Sequence, residues 1–346
     1  MHNIYSIRSG DYLIIPTSYN AFSCIIRSTK NTPLFAKQNT LSNDFVRDLM
    51  SFIDLAGSRK IIVIDCEYVV AYENKSFSLM QEVKNKNKVV FINVDTTLRK
   101  MLVEDLYLDE ENIIRDNVII YSLKLKPKII PNFVEEISHE VKKHIYSLTK
   151  KYSRKTSKGK GKKYHYLDSS GVYSNTYVNI KQIFNNVLDY TYIVYRLAET
   201  AQKRIAFYDA LISTSKNGAI LANLLGQILD KKVVHCISVG PKFALSLDQL
   251  DSEIREKKNY LYVFDFICLG TEVKILNAII ASKKANLIGG VGVASLIDNS
   301  NPDVEGSIIS KMDYLVNIVD FGADYKIDIS EERLETQIKS QKVVEQ

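Results

Sequence analysis

The chain has 346 residues, 46 Lys+Arg against 40 Asp+Glu and a formal charge of +6, an excess too mild to mark a nucleic-acid binder by itself. With 46% hydrophobic and 25% charged residues the composition is that of a globular protein. It excludes disordered, collagen-like and disulfide-scaffold classes, and the length favours two domains.

From the N-terminus, MHNIYSIRSGDYLIIP shows no basic segment leading into an apolar run and a cleavage site, so no secretory signal is expected and the cytoplasm is the expected location. The apolar, β-rich runs KIIVID (60–65), KVVFINV (88–94) and NVIIYSL (117–123) alternate with helical stretches at LSNDFVRDLMSFIDLA (41–56), SFSLMQEV (76–83) and TTLRKMLVEDL (96–106). Such alternation predicts a sheet covered by helices, a small α/β domain over residues 1–125. The passage VIDCEYVVAYENKSFSLMQEV, a strand running into a loop and a helix, resembles small STAS-like domains without their Asp-x-Ser-Gly loop. A structural or partner-docking role is the expectation for this domain.

Residues 126–163 are expected to connect the domains. Phe133, Ile137, Val141, Ile145 and Leu148 recur at helical spacing after Pro131 and Asn132, which predicts a helix. It leads into KKYSRKTSKGKGKK (Lys150–Lys163), eight positive charges without an acid, so that against a total of +6 the rest of the chain carries −2. Rich in Gly and Ser, this segment is expected to be an exposed flexible loop. Two readings stand side by side: a solvated linker, or a contact to a polyanion such as nucleic acid or a nucleic-acid-bearing partner protein. Only Tyr152 and Tyr164 accompany the charges, so base stacking is not indicated.

No metal centre or disulfide framework is expected. Cys24, Cys66, Cys236 and Cys268 form no CxxC pair and are read as reduced thiols, and His139 and His144 stand five apart rather than the four of HExxH. The longest apolar stretch, Leu287 to Ile297, has eleven residues with three glycines, short of the ~20 that cross a bilayer. No membrane contact is expected.

The C-terminal part carries two β-loop-helix units, at YDALISTSKNGAILANLLGQIL (208–229) and YLYVFDFICLGTEVKILNAIIASKKA (260–285). In each, a run apolar on both faces ends in a glycine-containing loop at a helix start. Such loops offer free backbone N–H groups and the positive end of the helix dipole to an anion, and two of them suit two phosphate groups.

From about Tyr164 to Asn299 the order of elements resembles the type I phosphoribosyltransferases, and within them orotate phosphoribosyltransferase. In YLDSSGVYSNTYVNI (166–180), Ser170, Gly171, Ser174, Tyr177 and Asn179 fall in register with the family's opening segment. The loop Ser213-Thr214-Ser215-Lys216-Asn217-Gly218 stands where the family receives pyrophosphate, and VVHCISVGPKFAL (233–245) where it has a strand entering a mobile basic loop. VFDFICLGT resembles the ribose- and 5′-phosphate-gripping pattern apolar-apolar-Asp-Asp-x-x-Thr-x-Gly-Thr.

The resemblance implies an α/β domain over residues 164–328 with a mainly parallel sheet, followed by a tail at 329–346. It further implies phosphoribosyl pyrophosphate or a related nucleotide as ligand, Mg²⁺ as cofactor and a homodimer. By position it assigns Asp265 to ribose, Gly270 and Thr271 to the 5′-phosphate, and Ser215, Lys216 and Gly218 to pyrophosphate. Lys242 falls on the developing charge, and Lys242 and Asp265 are the candidate catalytic residues.

The sequence also departs from the pattern. The first acid is Phe264, the first Thr is Cys268, the loop's Lys is Asn217, and Val239 and Gly240 take cationic positions. The opening Lys is Ser169, and Asn299 replaces the Arg that faces orotate's carboxylate, which argues for an acceptor other than orotate. Two functions follow: a glycosyltransferase of phosphoribosyltransferase type, or a catalytically degenerate nucleotide-sensing regulator or effector, in stress or phage defence, that acts through a partner.

Overall fold

The computed structural model describes residues 4–20, 40–56, 61–73, 88–108, 113–115, 118–121, 132–155, 165–167, 172–174, 176–178, 180–236, 253–297, 306–317 and 325–326. The chain forms two compact units, one of residues 1–148, 186–202 and 227–230, the other of residues 149–185, 203–226 and 231–346.

In the first unit, six strands form one sheet: β1 (Ile7–Ser9), β2 (Tyr12–Pro16), β3 (Ile61–Asp65), β4 (Lys88–Ile92), β5 (Ile113–Arg115) and β6 (Val118–Tyr121), in the order β1-β2-β3-β4-β6-β5. β2, β3 and β4 run parallel, whereas β1 and β6 pair antiparallel with their neighbours. The hairpin β1–β2, absent from the sequence expectation, turns at Gly10, whose φ of +51° suits glycine. Helices α1 (Asn43–Ala56) and α2 (Thr96–Leu106) start on side-chain caps, with Ser42 accepting from the Phe45 amide at 3.3 Å and Asp95 from the Leu98 amide at 2.7 Å. Their apolar stripes, Phe45, Leu49 and Ile53 on α1 and Leu98, Leu102 and Leu106 on α2, join Ile62, Ile64, Val89 and Phe91 in one core. Each such side chain, fully buried, contributes about 1.5–3 kcal/mol.

The expected helix at 133–148 is present as α3 (Phe133–Lys151); Glu136 accepts from the Tyr12 hydroxyl at 2.9 Å and Glu140 from the Ser9 hydroxyl. The basic run does not begin as a loop. Lys150 and Lys151 complete α3, and Ser153–Lys155 pairs antiparallel with Thr176–Val178, because hydrogen bonds to a neighbouring strand supply what the Gly/Ser composition does not. Residues 156–163 lie outside the described residues, as does the expected helix at 76–83. The helix α4 (Val187–Gln202), capped by Asn186, packs within the first unit, where Tyr192 stacks on Tyr5 with 4.8 Å between ring centroids. No described helix is long and apolar enough to cross a membrane.

The second unit is built on β7 (Ala210–Ser213), β8 (Lys232–His235), β9 (Asn259–Ile267), β10 (Asn286–Ser295) and β11 (Met312–Asn317). Within this five-stranded sheet every pairing is parallel and the strand order is β8-β7-β9-β10-β11, so the mainly parallel sheet expected from the sequence is present. Helix α5 (Lys216–Leu229) links β7 to β8 and α6 (Thr271–Ser282) links β9 to β10. β7 is buried throughout and β10 almost throughout, as strands covered on both faces must be. Strand β11 was not foreseen: its pattern of half-buried residues carries little period.

Candidate anion and ribose site

In the second unit, β7 and β9 are adjacent, yet α5 returns the chain to one side of them and α6 to the other. The strand order therefore reverses between β7 and β9, and in open α/β sheets the crevice beyond the carboxyl ends at such a point is where ligands bind. The loops opening onto it are the two singled out in the sequence, Thr214–Ser215 after β7 and Cys268–Gly270 after β9.

The structure ties the first of these loops to β9 through Asp265. One carboxylate oxygen accepts from the Ser215 hydroxyl and the other from the Asn217 side-chain amide, each at 2.9 Å. Ser215 in turn accepts from the Gly218 amide at 2.9 Å and so caps α5. A side chain at 218 would approach the Val263 carbonyl to 2.9 Å, so glycine there lets α5 lie close against β9. Lys216 is exposed at the first residue of α5. Behind the loop, the Thr214 and Tyr262 hydroxyls bond at 2.7 Å, and His235 bridges Ser213 and Asn223 at 3.0 and 3.2 Å.

The second loop is built differently. Gly270, the N-cap of α6, lies in the left-handed region at φ +71° and leaves the first amides of the helix without a side-chain cap. A Cβ at 270 would come within 2.5 Å of Ile309 Cδ1. Gly270→Ala is thus expected to lose about 1–3 kcal/mol, from left-handed strain and overpacking together, measured as the shift in the urea midpoint. Glu272, in the first turn of α6, is half-buried, interacts with Thr214, and has a carboxyl group pushed up to about 7, chiefly by burial and secondarily by the nearby Asp265 charge.

Phe264, on the strand beside Asp265, belongs to the core: it is 1% exposed, stacks with Tyr262 and faces Gly292. Cys268 is a buried thiol, in keeping with its sequence reading. Of the other candidates, Lys242, Val239, Gly240, Ser169, Ser170, Gly171, Asn179 and Asn299 lie outside the described residues, and Ser174 and Tyr177 are placed only as strand backbone. Sequence reasoning missed Thr214, Tyr262 and Glu272; an acid directly after Gly-Thr at a helix start was the signal for the last. Among the described residues no group of three or more His, Cys, Asp or Glu side chains is arranged to hold a metal ion. The first unit has a polar cavity lined by Asp65, Arg196 and Glu199, but it encloses about 10 Å³, room for one water rather than a nucleotide.

No family model matches the chain, and no curated protein matches it in sequence. Among solved structures it is similar to orotate phosphoribosyltransferase from Aeropyrum pernix, with 14% identity, 51% of this chain and 99% of that one covered, and a TM-score of 0.38. It is similar as well to adenine phosphoribosyltransferase from Thermoanaerobacter pseudethanolicus, at 12% identity, 50% and 99% coverage and a TM-score of 0.37. A third is the Trypanosoma brucei adenine enzyme in complex with AMP, pyrophosphate and ribose-5-phosphate, at 11% identity, 51% and 80% coverage and a TM-score of 0.35. With five parallel strands in this order and its paired loops at the reversal point, the second unit resembles the type I phosphoribosyltransferases in fold.

Proposed function

We propose that the second unit binds phosphoribosyl pyrophosphate or a related ribosyl phosphate in the crevice between the loops after β7 and β9. The observation that carries this reading is the bonding of Ser215 and Asn217, at the start of α5, to Asp265 near the end of β9, with that helix capped by Ser215 and α6 left without a side-chain cap at Gly270. Ribose hydroxyls are natural donors to the Asp265 carboxylate, while the Thr271 hydroxyl and the free amides of α6 suit a phosphate. Ser215 and Lys216 are the groups nearest to a pyrophosphate at the start of α5. Transfer would form a bond from an acceptor nitrogen to ribose C1 as the bond from C1 to the pyrophosphate oxygen breaks. The electron pair leaves with pyrophosphate and the acceptor's proton passes to solvent. The leaving charge must be neutralised. Mg²⁺, implied by the family resemblance, would enter bound to the pyrophosphate as part of the substrate.

One observation favours the second reading, a nucleotide-sensing regulator acting through a partner. Both oxygens of Asp265 are already engaged, and the neighbouring strand position is a core phenylalanine rather than a second acid. Binding is compatible with that arrangement even where turnover is slow.

Calorimetric titration with phosphoribosyl pyrophosphate and Mg²⁺ tests the shared part of both readings. The intact protein is expected to bind, and Thr271→Ala to weaken binding about tenfold to a hundredfold, the worth of one hydrogen bond to an anion. No binding by the intact protein would sink both readings. Pyrophosphate release across a panel of bases then separates them, since release requires transfer and a sensor gives none.

A further inference from the structure

The polar cavity of the first unit holds chemistry that the ribosyl-phosphate reading does not use. It lies where β2 and β3 end, α4 supplies part of its lining, and Asp65, Glu67, Arg196 and Glu199 are its charged groups. Asp65, the last residue of β3, accepts with Oδ1 from the Asn93 side-chain amide at 2.9 Å and from the Glu67 backbone amide at 3.1 Å. Its second oxygen, Oδ2, has no hydrogen-bond partner among the described residues. On α4, Arg196 Nη1 pairs with Glu199 at 2.8 Å, while Nε is buried and no described group accepts its hydrogen. Burial raises the Asp65 carboxyl group above its ordinary value, and the nearby Arg196 charge opposes that rise, so the two side chains act on each other. One donor and one acceptor thus stand unmatched at a single cavity, and a buried polar group without a bond is costly.

We propose that this cavity is a binding site for one ordered water molecule, which accepts from Arg196 Nε, donates to Asp65 Oδ2 and so bridges α4 to the end of β3. The size fits, because about 10 Å³ is the least that seats a water, and the chemistry fits, because buried waters typically make about three hydrogen bonds. Glu67, also in the lining, offers an acceptor for the second hydrogen. Other occupants match less well. An anion meets three carboxyl groups. A metal ion meets the guanidinium and, among the described residues, finds no cluster of ligands able to hold it. An organic ligand exceeds the volume. The water is also well placed to matter: residues 186–202 belong to the first unit although the chain on either side, 149–185 and 203–226, belongs to the second. The bridge is part of what keeps α4 seated on the first unit.

The test begins with the intact chain, as a crystal structure at a resolution that shows ordered water. One peak is expected in the cavity, about 2.7–3.2 Å from both Arg196 Nε and Asp65 Oδ2. A direct bond from Arg196 to Asp65, or a cavity without density, overturns the proposal. Magnetic relaxation dispersion of the water oxygen nucleus then counts long-lived internal waters in solution. Val141→Ile adds a methyl group to a residue of the lining and is expected to lose one such water relative to the parent. An unchanged count would place the long-lived water elsewhere and overturn the assignment; should the variant fail to fold, the crystallographic result decides alone. Phosphoribosyl pyrophosphate binding by the second unit is measured separately, so neither reading falls with the other.

Discussion

Replacing Gly292 by alanine is expected to cost about 3 kcal/mol, at the upper end of what overpacking a well-filled core costs. A Cβ at 292 would stand 2.1 Å from two ring carbons of Phe264. The ring cannot simply swing away: Phe264 is 1% exposed and packs among Tyr262, Val273, Leu276 and Ile280. Chemical denaturation followed by circular dichroism reads the loss directly. Phe264→Leu removes ring volume at the contact, so the double variant should be more stable than Gly292→Ala alone, a coupling of about 1 kcal/mol or more for groups in direct contact. An unfolding free energy for Gly292→Ala within about 0.5 kcal/mol of the parent would show that the strands part to admit the methyl group, against the rigid pairing of β9 with β10. The same packing bears on function. Putting an aspartate at 264, to restore the acid of the resembling family, would bury a charge without a partner and destabilise the unit.

The second large effect is expected at Asp265. Its two acceptor oxygens hold the Ser215 hydroxyl and the Asn217 amide, bonds to a charged group worth about 1.5–3 kcal/mol each when shielded from water. All three side chains are partly accessible, so Asp265→Ala should cost about 2–3 kcal/mol in total, below the sum of the two bonds, since water replaces part of what is lost. Ligand binding should fall by more than a hundredfold if Asp265 accepts from ribose, because the loop loses its anchor and the ligand its acceptor together. Asp265→Asn separates the two roles. The asparagine oxygen can still accept from Ser215, but its NH₂ meets the NH₂ of Asn217, so stability should recover by roughly half while binding stays weak. Equal ribosyl-phosphate affinity in the parent and both variants would remove Asp265 from the site.

The parts of this architecture that follow a strong local period were legible in the sequence. KIIVID and KVVFINV are strands, TTLRKMLVEDL is a helix over the same residues, and both glycine loops stand at strand-to-helix junctions. What escaped depends on long-range pairing. β11 was missed because its partner β10 fixes it, and Ser153–Lys155 became a strand because Thr176–Val178 lies alongside. At the site, Asp265, Ser215 and Gly270 were assigned through the family resemblance. It did not tell that Phe264 is a core residue made possible by Gly292, since that fit lies across two strands. Gly218 was assigned to pyrophosphate by position; its amide is engaged by Ser215 and its missing side chain serves helix packing, facts of three-dimensional contact.

Ser215 has one hydroxyl and serves two neighbours, taking a hydrogen from the Gly218 amide and giving its own to Asp265. Rotation of Asp265 toward any newcomer therefore competes with the start of α5: a carboxylate drawn away leaves the serine proton unplaced and the helix cap with less to hold its angle. Under the ribosyl-phosphate reading, affinity at this crevice would to that extent be a contest with local helix order, favouring a ligand that offers Ser215 another acceptor in exchange.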